Sequence, residues 1–257
     1  MSVNFSIEGG IARLHLDNPV KLNALSRDMR QTIAAGLEQS KHDPAVRAVL
    51  ITAEGRSFCS GADLEQFGAE GPVSARARMQ QGGHRLIKAL HDIEKPVVVA
   101  VRGHVIGIGW AMVLASDIVI ASKTAKFAMP FRKTGLVADA GAIWLLTRHI
   151  GTLRAKDLIF SARTLPVDEA SAMGLVTEVV DDEQLEARAL ERAKDLAVGP
   201  TFSLGLMRKL FNLSQGPTLA EFLETESLMS PQLRHTEDFH EGIAAFKEKR
   251  KPQFKGN

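Results

Sequence analysis

Apolar residues recur along this chain with two periods, and the alternation between them predicts its elements. Ile11–Leu16 alternates, with Ala12, Leu14 and Leu16 on one face and Arg13 and His15 on the other, the pattern of a half-buried strand. Gly9-Gly10 precedes it as a turn, so Val3–Glu8 is expected to pair back on it in an antiparallel hairpin. From Ser26 to about Lys41, Met29, Ile33 and Leu37 recur every four residues, with Ser26 placed to cap and Asp28 in the first turn; this predicts a surface helix. Val46–Ala53 is a near-continuous apolar run rich in β-branched residues, as in parallel strands covered on both faces, and Val97–Val101 and Ile118–Ala121 repeat that texture. A helical pattern on Met79, Leu86, Ile87 and Leu90 separates the first two, so the chain is α/β, built from βαβ units with right-handed crossovers. Val176–Val180 predicts one more strand, Leu185, Ala189, Ala193 and Leu196 a further helix, and Gly199-Pro200 a break. Beyond it the pattern is helical, on Leu219, Phe222 and Leu223 and then on Phe239, Ile243 and Phe246, punctuated by Gly216-Pro217 and Pro231. The chain thus divides into a core over 1–199 and a helical region over 200–257 that needs a partner surface or a core of its own. The basic run Lys247–Lys255 is expected to be a solvated end.

The composition narrows the function. A length of 257 residues suits one α/β domain with a modest appendage. Lys and Arg number 32 against 30 Asp and Glu, a net charge of +2, and there is neither a basic stripe nor interleaved aromatics, so no nucleic-acid or membrane partner is expected. Cys59 is the single cysteine, which excludes an intrachain disulfide, and no Cys/His spacing suggests a metal site. The N-terminus lacks a secretory or transit pattern, and the longest apolar stretch, Val97–Leu114, is interrupted by Arg102 and His104; a cytoplasmic protein with a buried strand and helix there is expected.

Two glycine-containing turns lead from buried strands into helices, Arg56–Leu64 and Arg102–Gly109. Loops at the carboxyl ends of parallel strands can point backbone N–H groups at one ligand oxygen, the arrangement of an oxyanion hole. The alternative is that these glycines only make tight turns. Gly107-Ile-Gly109-Trp-Ala-Met112 fails as a dinucleotide fingerprint, since its sixth position is Met, and neither a serine-hydrolase nor a P-loop motif occurs. Cys59 beside Phe58 reads as a packed thiol, and His104 as a structural loop residue. Asp139, in Gly135-Leu-Val-Ala-Asp-Ala-Gly-Ala-Ile-Trp144, opens a helix expected to run to about Ile150. It reads as an N-cap or, set among Leu136, Val137, Ile143 and Trp144, as a partly desolvated carboxyl fit to carry a proton. Asp63 shares the ambiguity, and there the cap is the expected role.

Taken together, Asp17-Asn-Pro-Val-Lys-Leu-Asn-Ala-Leu25, Val46–Leu64, Lys95–Asp117, Ala125–Gly151 and the C-terminal Phe246–Phe254 resemble the crotonase, or enoyl-CoA hydratase/isomerase, superfamily over essentially the whole chain. The resemblance implies a ClpP-like spiral of ββα units that binds a coenzyme A thioester, a C-terminal helical trimerisation region, and a homotrimer or dimer of trimers. It places the oxyanion donors on the N–H groups of Ala62 and Ile108, and the adenine and pantetheine contacts near Lys21, Leu22, Ala24, Ser60, Asp63 and Leu64. Phe131 and Trp144 are expected to line the acyl pocket. No cofactor is implied beyond the coenzyme A carried by the substrate.

The departures from the family pattern decide the chemistry expected. Family hydratases carry glutamates where this chain has Ala111 and Phe131, and neither apolar side chain can activate water or protonate a carbon. Asp139 remains, in a Gly-Leu-x-x-Asp-x-Gly-x-x-Trp-Leu-Leu context that resembles the phenylacetate-pathway isomerases, which convert ring-epoxide CoA to oxepin-CoA and shift Δ3 double bonds to Δ2; Pro200–Met207 resembles them too. Ala138 and Ala142 depart from that branch, at positions that bear on loop rigidity and the acyl pocket. The expected activity is acyl-CoA isomerisation with Asp139 as sole acid/base. The alternatives are another reaction of the family, dehalogenation or thioester hydrolysis, for which His84 is the nearest histidine, and a non-catalytic acyl-CoA-binding protein.

Overall fold

The hairpin forms as the alternation predicts: β1 (Val3–Glu8) and β2 (Ile11–Leu16) are antiparallel from Val3↔Leu16 to Glu8↔Ile11. These coordinates are a computed structural model of the chain, which describes residues 3–66, 68 and 71–257. Helix α1 (Arg27–His42) follows, its first turn closed by Ser26, whose Oγ accepts from the Met29 N–H. Strand β3 (Ala48–Ala53) then lies parallel to β2. Helix α2 (Pro72–Met79) runs through a π-helical turn, Gln80–His84, into α3 (Arg85–Asp92). Leu86, Ile87 and Leu90 are buried as predicted, whereas Met79 is exposed. The wider π turn rotates α2 relative to α3, so two residues that a uniform helix would place on one face part company.

Strands β4 (Val97–Val101) and β5 (His104–Ile106) lead to α4 (Ile108–Leu114), β6 (Ile118–Ser122) and β7 (Lys126–Ala128). A 3-10 turn, Pro130–Thr134, and a loop precede α5 (Ala142–Ser161), which kinks at Gly151, so its first segment ends at Ile150. Next come β8 (Leu165–Pro166), α6 (Val167–Ala172), β9 (Glu178–Val180), α7 (Leu185–Ala197), α8 (Thr201–Leu213), α9 (Leu219–Met229) and α10 (Glu237–Glu248). The main sheet has the order β1-β2-β3-β4-β6-β9, parallel from β2 onward, and β5, β7 and β8 form a second, small sheet.

Period-two alternation explains why β3 is buried at every position. Val49 and Ile51 face one core with α1, α3 and α4, while Ala48 and Leu50 face the other, where α7 supplies Leu185, Ala189 and Ala193. Helix α8 is tied to the core by Arg208. Its Nε donates to both Asp117 carboxylate oxygens at 2.8 Å, and its two Nη groups donate to the carbonyls of Leu90, His91, Ile93 and Ala115 at 2.7–3.0 Å.

The basic C-terminal run is not a free end. Asp238 accepts from the N–H groups of Lys255 and Gly256, Arg250 pairs with Glu241, and Arg47 reaches the Phe254 carbonyl. The backbone is held while the side chains stay exposed, which a count of basic residues does not reveal. No helix among the described residues is long and apolar enough to cross a membrane.

Candidate active site

The two glycine turns leave the carboxyl ends of neighbouring parallel strands, β3 and β4, so the sheet sets them side by side. Cys59 binds the second turn with both backbone groups: its N–H donates to the His104 carbonyl and its carbonyl accepts from the Ile106 N–H, each at 2.9 Å. Helix α4 then presses on the first turn. A Cβ on Gly109 would lie 2.6 Å from the Cys59 Cβ, so glycine alone allows this approach. Cys59 is fully buried there, and burial pushes its thiol up to about 12; it is a packed thiol. His104 is exposed, and it is its backbone that bonds the turn.

These contacts orient two N–H groups. The Gly61 carbonyl accepts from Leu25 N–H at 2.8 Å and Asp63 N–H donates to the Leu25 carbonyl at 3.1 Å. Backbone groups alternate along an extended segment, so the N–H of Ala62 between them turns away from Leu25. Gly61 makes this possible at φ +105°. Ile108 follows Gly107, at φ +54°, and opens α4, where an N–H has no intrahelical acceptor. Neither the Ala62 nor the Ile108 N–H meets an acceptor among the described residues.

Asp139 lies in the loop before α5. It is not the N-cap: Gly141 is, and it is the Asp139 carbonyl, not the carboxylate, that accepts from Ala142 N–H at 2.9 Å. Its surroundings also differ from those expected, because Leu136, Val137, Ile143 and Trp144 are all exposed. The packing comes from the π turn instead. A Cβ on Gly83 would lie 3.3 Å from Ile108 Cδ1 and 3.8 Å from Ala140 Cβ, so Ile108 and the residue after Asp139 meet over one glycine. Burial pushes the Asp139 carboxyl above the usual range; the charges of His84 and Arg30 and its own backbone N–H pull the other way. Phe131 is half-buried with Cζ 3.7 Å from where a Gly107 Cβ would stand, and Ala111 is fully buried in α4.

The residues expected at the adenine and pantetheine form one edge. Ser60 Oγ donates to the Lys21 carbonyl, Ser60 N–H to the Leu22 carbonyl, and Ala24 N–H to the Lys21 carbonyl. Lys21 Nζ pairs with Glu65 at 2.5 Å and Asp63 at 3.4 Å. Asp63 Oδ1 accepts from Glu65 N–H, the cap expected of it, and Leu64 is exposed. Asn23 holds this loop and was not singled out from sequence. Buried at φ +55°, it donates to the Glu54 and Ser57 carbonyls and accepts from Asn18 N–H. Its sequence signal was available, since Asn tolerates the left-handed region and turns need it.

Trp144 stands apart from the others. It packs edge-on to His91, under the Arg148 guanidinium at 3.6 Å, and lines a cavity of about 520 Å³ with Met207, Arg208 and Phe211. None of Ala62, Ile108, Phe131 and Asp139 borders that cavity. Trp144 is the third residue of α5, two positions past Ala142, which is buried on the core face. Sequence reasoning also passed over Arg30 and the Gly82-Gly83 pair, because a buried arginine and a π turn leave no periodic signature.

Known proteins resemble this chain over nearly its whole length. Residues 6–257 match the family described as enoyl-CoA hydratase/isomerase. A 1,2-epoxyphenylacetyl-CoA isomerase of Escherichia coli K12 is 37% identical over 253 residues, 97% of each chain. An enoyl-CoA hydratase of Alternaria alternata is 36% identical over 98% of this chain and 86% of its own. The crystal structure of an enoyl-CoA hydratase from Polaromonas sp. JS666 superposes with a TM-score of 0.93 at 30% identity, covering 99% of this chain and 100% of that one. The fold is therefore the crotonase fold, and the chain belongs to the enoyl-CoA hydratase/isomerase family.

Proposed function

We propose that the protein is an acyl-CoA isomerase, of the double-bond-shifting or ring-epoxide type, in which Asp139 is the sole acid/base. The observation that carries this reading is that Asp139, with a raised pKa, directly precedes Ala140, which like Ile108 lies against Gly83, while the two positions at which the family's hydratases place glutamates hold the buried Ala111 and the half-buried Phe131. The thioester carbonyl accepts from the Ala62 and Ile108 N–H groups. The Asp139 carboxylate removes a proton from Cα of a 3-enoyl thioester, the electron pair moves onto the thioester oxygen as a dienolate, and the two N–H groups stabilise it. The carboxylic acid so formed delivers the proton to Cγ, leaving the double bond between Cα and Cβ and Asp139 ionised again. A single carboxyl completes this cycle because nothing is added to the substrate. The E. coli relative named as an isomerase supports the assignment, and the relatives named as hydratases make hydration the outcome to test against.

The test is NMR in D2O with a 3-enoyl-CoA and its 2-enoyl isomer. Expected are deuterium at Cα or Cγ and migration of the double bond, both lost in Asp139→Asn. Formation of a 3-hydroxyacyl-CoA would overturn the reading, as would an aspartyl-linked adduct, which would place Asp139 beside His84 as a nucleophile.

We read the assembly as a homotrimer or dimer of trimers built on α8–α10. Leu219, Leu223, Leu228 and Phe246 are exposed in the single chain, an apolar surface that a second copy would cover.

A further inference from the structure

Arg30 is a buried cation that the proposed reaction does not use. It lies in α1 between Met29 and Ile33, both in the core, and is 8% exposed. A Cβ on Gly82 would lie 3.8 Å from its Nε and from its Cζ, so the guanidinium runs along the backbone of the π turn. The next glycine of that turn, Gly83, is the one over which Ile108 and Ala140 meet. Arg30 is therefore one residue of π turn away from the oxyanion turn and the Asp139 loop, and turns of this kind concentrate at functional sites.

Its environment lacks what a buried guanidinium needs. No carboxylate or carbonyl among the described residues accepts a hydrogen bond from it, and its Nε is buried without an acceptor. Arg208, the other buried arginine, shows the contrast: an aspartate and four carbonyls surround it. The charges that act on Arg30 are Arg78 and Arg27, of like sign, and Asp139 and Asp63, of opposite sign. Asp63 is already bonded to Lys21, Gln66 and the Glu65 N–H, and Asp139 is the proposed base. Neither aspartate is left over to pair with Arg30, whose buried Nε stays without an acceptor.

We propose that Arg30 recognises the far end of the acyl group, and that the preferred substrates are acyl-CoA thioesters whose acyl chain ends in a carboxylate. The inference rests on the reading of Ala62, Ile108 and Asp139 as the reacting centre, since it runs the acyl chain from Ile108 past Ala140 to the π turn. A guanidinium offers a planar fork of donors that matches a carboxylate two bonds at a time, and desolvation strengthens the match. The same residue left unpaired in the free protein is a site kept for binding at the expense of stability.

The experiment is calorimetric titration of the protein with saturated thioesters, which bind without reacting: glutaryl-CoA and adipyl-CoA against pentanoyl-CoA and hexanoyl-CoA. The expected result is a preference for the dicarboxylic thioester of about tenfold or more, abolished in Arg30→Met and partly kept in Arg30→Lys. Arg30→Met is expected to unfold at the same temperature as the parent or higher, because it removes an unpaired buried charge. Equal affinity for the two classes, a preference that survives Arg30→Met, or a clear fall in the melting temperature of Arg30→Met would each overturn the proposal. Carboxylate preference without deuterium exchange on any enoyl thioester would overturn the isomerase reading alone; exchange without carboxylate preference would overturn this inference alone.

Discussion

Asp139 carries its charge where the protein resists it, and this separates activity from stability. As a base it acts ionised, so kcat/KM on a 3-enoyl-CoA should fall with decreasing pH through a pKa above the ordinary 3.8. The stability effect has the opposite sense. A folded pKa raised above the unfolded one favours the protonated folded state, so this contribution is full below the unfolded pKa and lost as pH rises through the folded value. Asp139→Asn should therefore lower turnover by about 10²–10⁴-fold while raising the melting temperature at pH 7; a lower melting temperature would show the carboxylate to be a structural partner. Cys59 permits a simpler check. With the thiol fully buried and pushed up to about 12, a disulfide reagent at pH 8 should leave it unmodified in the native protein and label it in denaturant. Both residues stood out in the sequence for their types and neighbours. What did not was the company of Asp139: its sequence neighbours Val137 and Ile143 are exposed, and its packing comes from a turn more than fifty residues away.

Among the elements, those with a long periodic signal were legible. The hairpin follows from its alternation, β3, β4 and β6 from their continuous apolar runs, and α1 and α7 from their helical recurrence. The small sheet of β5, β7 and β8 was not, because strands of two or three residues are too short to show a period of two. The π turn was hidden for a related reason: it preserves the apolar character of the helix and changes only its phase, which the exposure of Met79 betrays. Helix α8 reads as one more amphipathic helix, yet it holds the core together through Arg208. Arg208→Met should cost about 3–5 kcal/mol, since it takes the cation from the Asp117 carboxylate and a donor from each of four carbonyls. Chemical denaturation measures this, and a loss below about 1 kcal/mol would mean that water replaces the guanidinium.

For the whole molecule, the proposed assembly rests on the apolar side chains that the C-terminal helices leave exposed. Leu219 is 73% and Phe246 84% exposed in the single chain, and side chains of this size are expected to be covered by another copy. Sedimentation should give a trimer or hexamer, and Leu228→Ser with Phe246→Ser should shift it towards smaller species; a monomeric parent protein would exclude this assembly. The sequence by itself determined the α/β class, the order of the long elements, the glycines at both turns, and the absence of carboxyls at positions 111 and 131. These are local properties: side-chain type, period and backbone freedom act within a few residues of where they are written. The tertiary structure alone decided that Cys59 and Gly109 clamp the two turns together, that Trp144 lines a cavity with Met207, Arg208 and Phe211, that the basic tail is held by Asp238, and that Arg30 lies unpaired beside the site. Each of these depends on contacts between residues far apart in the chain, where packing and desolvation act on distance in space and sequence spacing carries no record of it.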